Sequence, residues 1–275
     1  MPSTSIVARS LAESFAADRA KHRIGFVPFI PAGYPDLATT IAVAEGLDAV
    51  GATAIEIGFP FSDPIADGPI IQAAFTAALA KKITVEQIFQ AASQITSRIA
   101  TPIVGMLSYS IVYRYSAEKF FAKSKAAGFA GLIIPDLPPP EAESICRQIR
   151  AAGLETILLV APTTTPARRQ EIARLSSGFV YYLSVSGITG TRDELPADAV
   201  ENVRTLKKLT SIPVCVGFGV SKPKHLADLA RVADGAIVGS AIVKRMTEQL
   251  SAGPQAIARG VGEYCRELLR GRESF

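Results

Sequence analysis

Eight short apolar runs recur along this chain, and a helix-like segment follows each. The runs are Gly25–Ile30, Ala54–Phe59, Ile103–Leu107, Gly131–Ile134, Thr156–Val160, Val180–Ser184, Val214–Gly217 and Gly235–Val238. Apolar runs of this length, closed by Gly, Pro or polar residues, read as buried strands. The segments between them, Leu37–Val50, Val85–Ala100, Ala117–Ala127, Glu141–Ala152, Ala167–Ser176, Val200–Leu209 and Lys224–Ala233, carry helical patterning, as does a last one from about Ala256 to Arg270. Several end at a stopping glycine, as in Ala127-Gly128 and Ala152-Gly153. Strand–helix alternation implies a parallel sheet, and eight repeats at this length favour a closed (β/α)8 TIM barrel. An open doubly wound sheet is the competing architecture. It would carry a glycine-rich turn after the first strand, and Pro28-Phe29-Ile30-Pro31-Ala32-Gly33 is not one.

At 275 residues, 48% of them hydrophobic, the chain can bury one large core. Without a linker or low-complexity tract, residues 1–275 are expected to form one barrel domain, with residues 1–22 as a short N-terminal helical segment packed on it. The net charge of +4 comes from scattered basic residues, not a clustered stripe, which argues against nucleic acid. No run of 18 apolar residues and no apolar leader occurs, so a membrane role is not expected. Cys146, Cys215 and Cys265 have no metal-site spacing and suit a reducing cytoplasm. His22 and His225 each stand alone.

Barrel chemistry gathers at the C-terminal ends of the strands. There the second run holds Glu56, and the loop after it holds Asp63 and Asp67. A carboxylate inside a strand is costly to desolvate, and folds accept this mainly where acid–base chemistry is done. Glu56 is expected to have a raised pKa and to donate a proton, with Asp67 ionised on a wetter loop. A structural ion pair is the plainer reading of Glu56. Ser62-Asp63-Pro64 reads as a turn braced by Asp63.

Gly217-Phe218-Gly219-Val220-Ser221 and Gly239-Ser240-Ala241-Ile242-Val243 follow the last two strands, and Ser240 opens a short helix. That is the usual barrel phosphate site, although such glycines also serve tight turns. Gly187 and Gly190 could close its third side. Phe29, Leu107, Tyr109, Tyr181 and Phe218 could line a slot for a flat ring or simply be core. No Lys lies centrally in a predicted strand, which disfavours a Schiff-base aldolase. The loops after strands 2 and 6 are the longest and are candidate lids.

Phe26-Val27-Pro28-Phe29, Ala32-Gly33-Tyr34-Pro35-Asp36, the run Glu56–Gln72, Asp136-Leu137-Pro138, Tyr181-Tyr182-Leu183-Ser184, Gly187-Ile188-Thr189-Gly190 and both phosphate-loop motifs together resemble the tryptophan synthase α-subunit family. The resemblance runs from about Arg23 to the C-terminal helix. It implies retro-aldol cleavage of indole-3-glycerol phosphate to indole and glyceraldehyde 3-phosphate, with no cofactor or metal in this chain. It also implies an α2β2 complex with a β subunit that holds pyridoxal phosphate. By resemblance, Glu56, Asp67 and Tyr181 are catalytic, and Gly190, Gly219, Gly239 and Ser240 bind phosphate. Phe29, Leu107, Tyr109, Thr189 and Phe218 belong to the indole pocket, and Asp63 and Asp136 to the partner interface. The chain departs from the family pattern at Pro31, at Ala73–Leu79 and at Ser110-Ile111, where Asn, often with Pro, is common. The last two departures lie near the expected docking face. A free-standing lyase, a silent barrel that only activates a β subunit, and another phosphosugar barrel are the rival readings.

Overall fold

The computed structural model describes residues 8–63, 67–183, 197–217 and 219–273. Eight parallel strands close into a barrel in chain order: β1 (Gly25–Pro31), β2 (Ile55–Gly58), β3 (Ile103–Met106), β4 (Phe129–Ile133), β5 (Glu155–Val160), β6 (Val180–Leu183), β7 (Val214–Gly217) and β8 (Gly235–Val238). Pairing of β1 with β8, Gly25 opposite Gly235 through Pro28 opposite Val238, excludes the open sheet. All eight expected strands form. β7 and β8 keep their expected bounds, and the other six shift by one or two residues at one or both ends, as at β4, which begins at Phe129.

The helices are α1 (Leu11–Ala20), α2 (Leu37–Ala49), α3 (Pro69–Ala80), α4 (Val85–Thr96), α5 (Tyr109–Tyr115), α6 (Ala117–Ala126), α7 (Pro139–Ala151), α8 (Pro166–Leu175), α9 (Ala197–Leu209), α10 (Pro223–Ala230), α11 (Ser240–Thr247) and α12 (Pro254–Leu268). Among the described residues no helix is long and apolar enough to cross a membrane. Local chemistry sets many helix starts. Ser10 and Glu13 form a capping box on α1, Thr84 and Gln87 form one on α4, and Asp36 accepts from Thr39 N at α2. Two helices, α3 and α5, were not expected from the sequence. α3 is apolar almost all round and gives no amphipathic stripe to read, while α5 is only seven residues long.

Alternate strand residues point inward. Val27, Ala54, Val104, Ile133, Ile157, Phe179, Cys215 and Ile237 make one buried cluster inside the barrel, joined by Leu11 and Phe15 of α1. Phe15 reaches β1 and β8 through glycines: a Cβ on Gly25 would lie 2.6 Å from its ring, and one on Gly235 3.1 Å. α1 thus plugs the N-terminal end. The other end is left to the loops.

Candidate active site

Glu56 lies two residues beyond Ala54 and so shares its inward direction. It sits opposite Phe29 of β1 and Val104 of β3. It is 1% exposed, and among the described residues its Oε2 has no hydrogen-bond partner. Burial, and then the charge of nearby Asp67, push its carboxyl up to about 8. A structural ion pair would have left the opposite signature, a satisfied carboxylate. At neutral pH Glu56 holds a proton that it can donate toward the barrel mouth.

Asp67 precedes Gly68, the residue before α3, and its carbonyl accepts from Gln72 Nε2 at 2.8 Å. It is half-buried, and burial raises its carboxyl to about 6. The loop is therefore drier here than expected, yet at pH 7 Asp67 remains mostly ionised. Tyr181 of β6 completes the group. Burial first, then the charges of Glu56, Asp67 and Cys215, hold its phenol well above the ordinary value, so it is a donor throughout. Gly217 makes room for it, since a Cβ there would come within 3.0 Å of the Tyr181 hydroxyl.

The wall beside the carboxylates is apolar. Phe29 and Leu107 are each 2% exposed, and the Phe29 ring leans over Gly58 and meets Phe75 edge to face, with ring centroids 6.2 Å apart. Tyr109 is tied elsewhere, at the rim: its hydroxyl donates to Glu141 of α7 and its N–H to Asp136 Oδ1 at 2.7 Å. Asp136 also accepts from Ser108 Oγ at 2.6 Å, and Ser108 meets Ser110 Oγ at 2.9 Å. Asp136 thus braces the start of α5, and Ser110, through its contact with Ser108, joins that bracing. Asp63 is exposed and accepts from Ser62 Oγ at 2.8 Å, as a loop brace does.

The last two strand ends form a cradle. Gly219 takes φ of +65°, open to glycine but strained for other residues, and among the described residues nothing lies within 4 Å of where a Cβ would be. Gly239 precedes α11, whose first N–H groups, on Ser240 and Ala241, have no acceptor within the helix. Such N–H groups suit a phosphate dianion. Gly187, Thr189, Gly190 and Phe218 lie outside the described residues. Among those described, no group of three or more His, Cys, Asp and Glu side chains could hold a metal ion.

A family model described as tryptophan synthase alpha chain matches residues 15–270. The chain belongs to the tryptophan synthase alpha chain family. The alpha chain of Rhodopirellula baltica is 42% identical, aligned over 92% of this chain and 95% of its own. That of Thermosynechococcus vestitus is 40% identical over 96% and 97%. Among solved structures, Mycobacterium tuberculosis tryptophan synthase superposes with a TM-score of 0.88 at 36% identity, covering 98% of this chain and all of that one. The Pyrococcus furiosus α-subunit gives 0.84 at 35% identity, covering 90% and 99%. As a tryptophan synthase alpha chain, this protein is a lyase of tryptophan biosynthesis that cleaves indole-3-glycerol phosphate.

Proposed function

We propose that Glu56 is the acid and base of this cleavage, that Asp67 holds the indole N–H, and that the chain works as the α half of an α2β2 complex. The observation that carries the proposal is the buried Glu56 Oε2, without a hydrogen-bond partner among the described residues and near a second carboxylate. Protonated Glu56 delivers its proton to the indole ring carbon that bears the glycerol chain. That carbon becomes tetrahedral and the ring an iminium-like electron sink. Asp67 accepts the indole N–H and steadies the developing positive charge. The carbon–carbon bond then breaks with its electron pair returning to the ring, while the adjacent hydroxyl gives up its proton to Glu56 and becomes the aldehyde. One proton leaves Glu56 and one returns.

Tyr181 lies against the glycerol portion. The N–H groups around Gly219, Gly239 and Ser240, with Gly190, take the phosphate, and Phe29, Leu107, Thr189 and Phe218 enclose the ring. Tyr109, tied to Glu141 and Asp136, shapes the rim of that pocket. Asp63 and Asp136 lie on the face offered to the β subunit, which holds the pyridoxal phosphate of the complex and receives the indole. On the same reading, residues 1–275 are one barrel domain working in the cytoplasm, which the three free cysteines support.

Indole release from indole-3-glycerol phosphate by the purified protein, alone and with a β subunit, tests this. Weak release that rises strongly with the β subunit is expected. Strong release that the β subunit leaves unchanged would make this a free-standing lyase, and no release in either condition would overturn the enzymatic assignment.

A further inference from the structure

The loop after β7 is pinned at a residue that makes no ligand contact in the reading above. Both backbone groups of Ser221 are held by side chains from other elements. Its N–H donates to His225 Nδ1 of α10 at 3.3 Å, and its carbonyl accepts from the Tyr264 hydroxyl of α12 at 3.1 Å. His225 is 2% exposed, and burial pushes the Tyr264 phenol up to about 12, which keeps it a donor. The same Tyr264 ring lies under the Arg245 guanidinium of α11, 5.1 Å from the ring centroid. One side chain therefore touches both halves of the phosphate cradle, the β7 loop through Ser221 and α11 through Arg245.

The arrangement matters because Gly219 cannot hold itself in place. At φ of +65° and, among the described residues, with nothing packed where its side chain would be, its N–H direction is set from the ends of the loop. One end is fixed by the β7 ladder, where Gly217 pairs with Leu183 and Ile237. The other end is Ser221, with Val220 before it 1% exposed.

We propose that Tyr264 and His225 are positioning residues for phosphate binding, acting through the two backbone groups of Ser221 to aim the N–H of the Gly219 loop. The proposal rests on the phosphate-site assignment above. It concerns α10 and α12, elements outside the βα loops that meet the substrate.

The test is to titrate the full-length protein with glycerol 3-phosphate and, separately, with indole, and to measure KM and kcat for indole-3-glycerol phosphate. Tyr264→Phe keeps the ring under Arg245 and removes only the hydroxyl. It should weaken glycerol 3-phosphate binding about fivefold, the value of one ordinary hydrogen bond, with the change appearing in KM rather than kcat. Indole affinity should stay put. His225→Asn keeps an acceptor for Ser221 N and should stay within about twofold of the parent, whereas His225→Ala should resemble Tyr264→Phe. The histidine pair decides the matter if Tyr264→Phe fails to fold. Unchanged glycerol 3-phosphate binding in Tyr264→Phe and His225→Ala would overturn the proposal, as would an equal loss for glycerol 3-phosphate and indole. If the parent protein does not bind glycerol 3-phosphate, the phosphate-site assignment falls first, and this inference with it.

Discussion

Arg272 and Glu56 are both buried ionisable residues of one barrel. Arg272, 6% exposed, lies near the N-terminal end. Its Nε donates to Ile24 O at 2.9 Å and its Nη1 to Gly51 O at 2.8 Å. Its Nη2 reaches Asp18 Oδ2 at 2.6 Å and Thr53 Oγ1 at 2.9 Å. Thr53 in turn donates to Asp18 and accepts from Phe26 N. The cluster ties the C-terminal segment to α1 and to the turn before β2, and its charge is matched. Glu56, 1% exposed, has neither a cation nor a donor for Oε2 among the described residues, and is pushed toward the protonated state. A buried charge that is fully partnered holds a fold together. One that is left unpartnered stores a proton and costs stability to do so.

Removing each group should therefore have opposite consequences. Glu56→Gln should lower indole release by about 100- to 10,000-fold, the usual range for a lost acid–base group. The melting temperature should hold or rise, because an unpaired buried acid has gone. A Glu56→Gln protein that cleaves at near-parent rate would break the comparison. Arg272→Ala should do the reverse, lowering unfolding free energy in urea by about 3–5 kcal/mol because Asp18 is stranded, while the activity of the protein still folded is retained. Asp67→Asn comes next, with a loss of about 10- to 100-fold in kcat/KM from a weakened charged hydrogen bond. Thr53→Val should be the mildest, costing about 1–3 kcal/mol of stability with activity intact.

The pH dependence sharpens the contrast. Activity needs Glu56 protonated and Asp67 ionised, so kcat/KM should fall below about pH 6 and above about pH 8. Asp67→Asn should move the alkaline limb down, though by only part of the displacement from 4.5, since burial is the larger cause of it. In stability the sign is that of an acid raised on folding. Between 4.5 and about 8 the folded state binds more protons than the unfolded one. The contribution of Glu56 is thus fully present below 4.5 and is lost as pH rises through about 8. Denaturant midpoints measured across that window should fall with pH in the parent, and in Glu56→Gln should be flat above about pH 6, with only the smaller fall due to Asp67 remaining below it.

Much of the carboxylate site could be read locally. Glu56 stands out because an acid interrupts an otherwise apolar run, and its direction into the barrel follows from the two-residue period shared with Ala54. Asp67 was visible as a second acid on the adjoining loop, but its half-burial was not, because α3 packs there without an amphipathic pattern to announce it. Asp136 shows the limit more sharply. As a sequence feature it was a polar residue after a strand. Its bonds to Ser108 and Tyr109 span 28 and 27 positions of chain. His225 looked like a solitary residue on a helix, and Tyr264 gave no signal, since the backbone groups they hold belong to a loop packed against them only in the folded barrel.

The sequence by itself determined the eightfold alternation of strand and helix, the inward set of side chains on each strand, and the carboxylate placed among them. These rest on periods of two and 3.6 residues, which are properties of neighbouring positions. Only the tertiary structure decided which buried charge is satisfied. Arg272 finds its partners 219 to 254 residues away, while Glu56 has Phe29 and Val104 beside it. Desolvation and hydrogen bonding depend on what closes around a group, and in a closed barrel the first and last strands must meet before that is set.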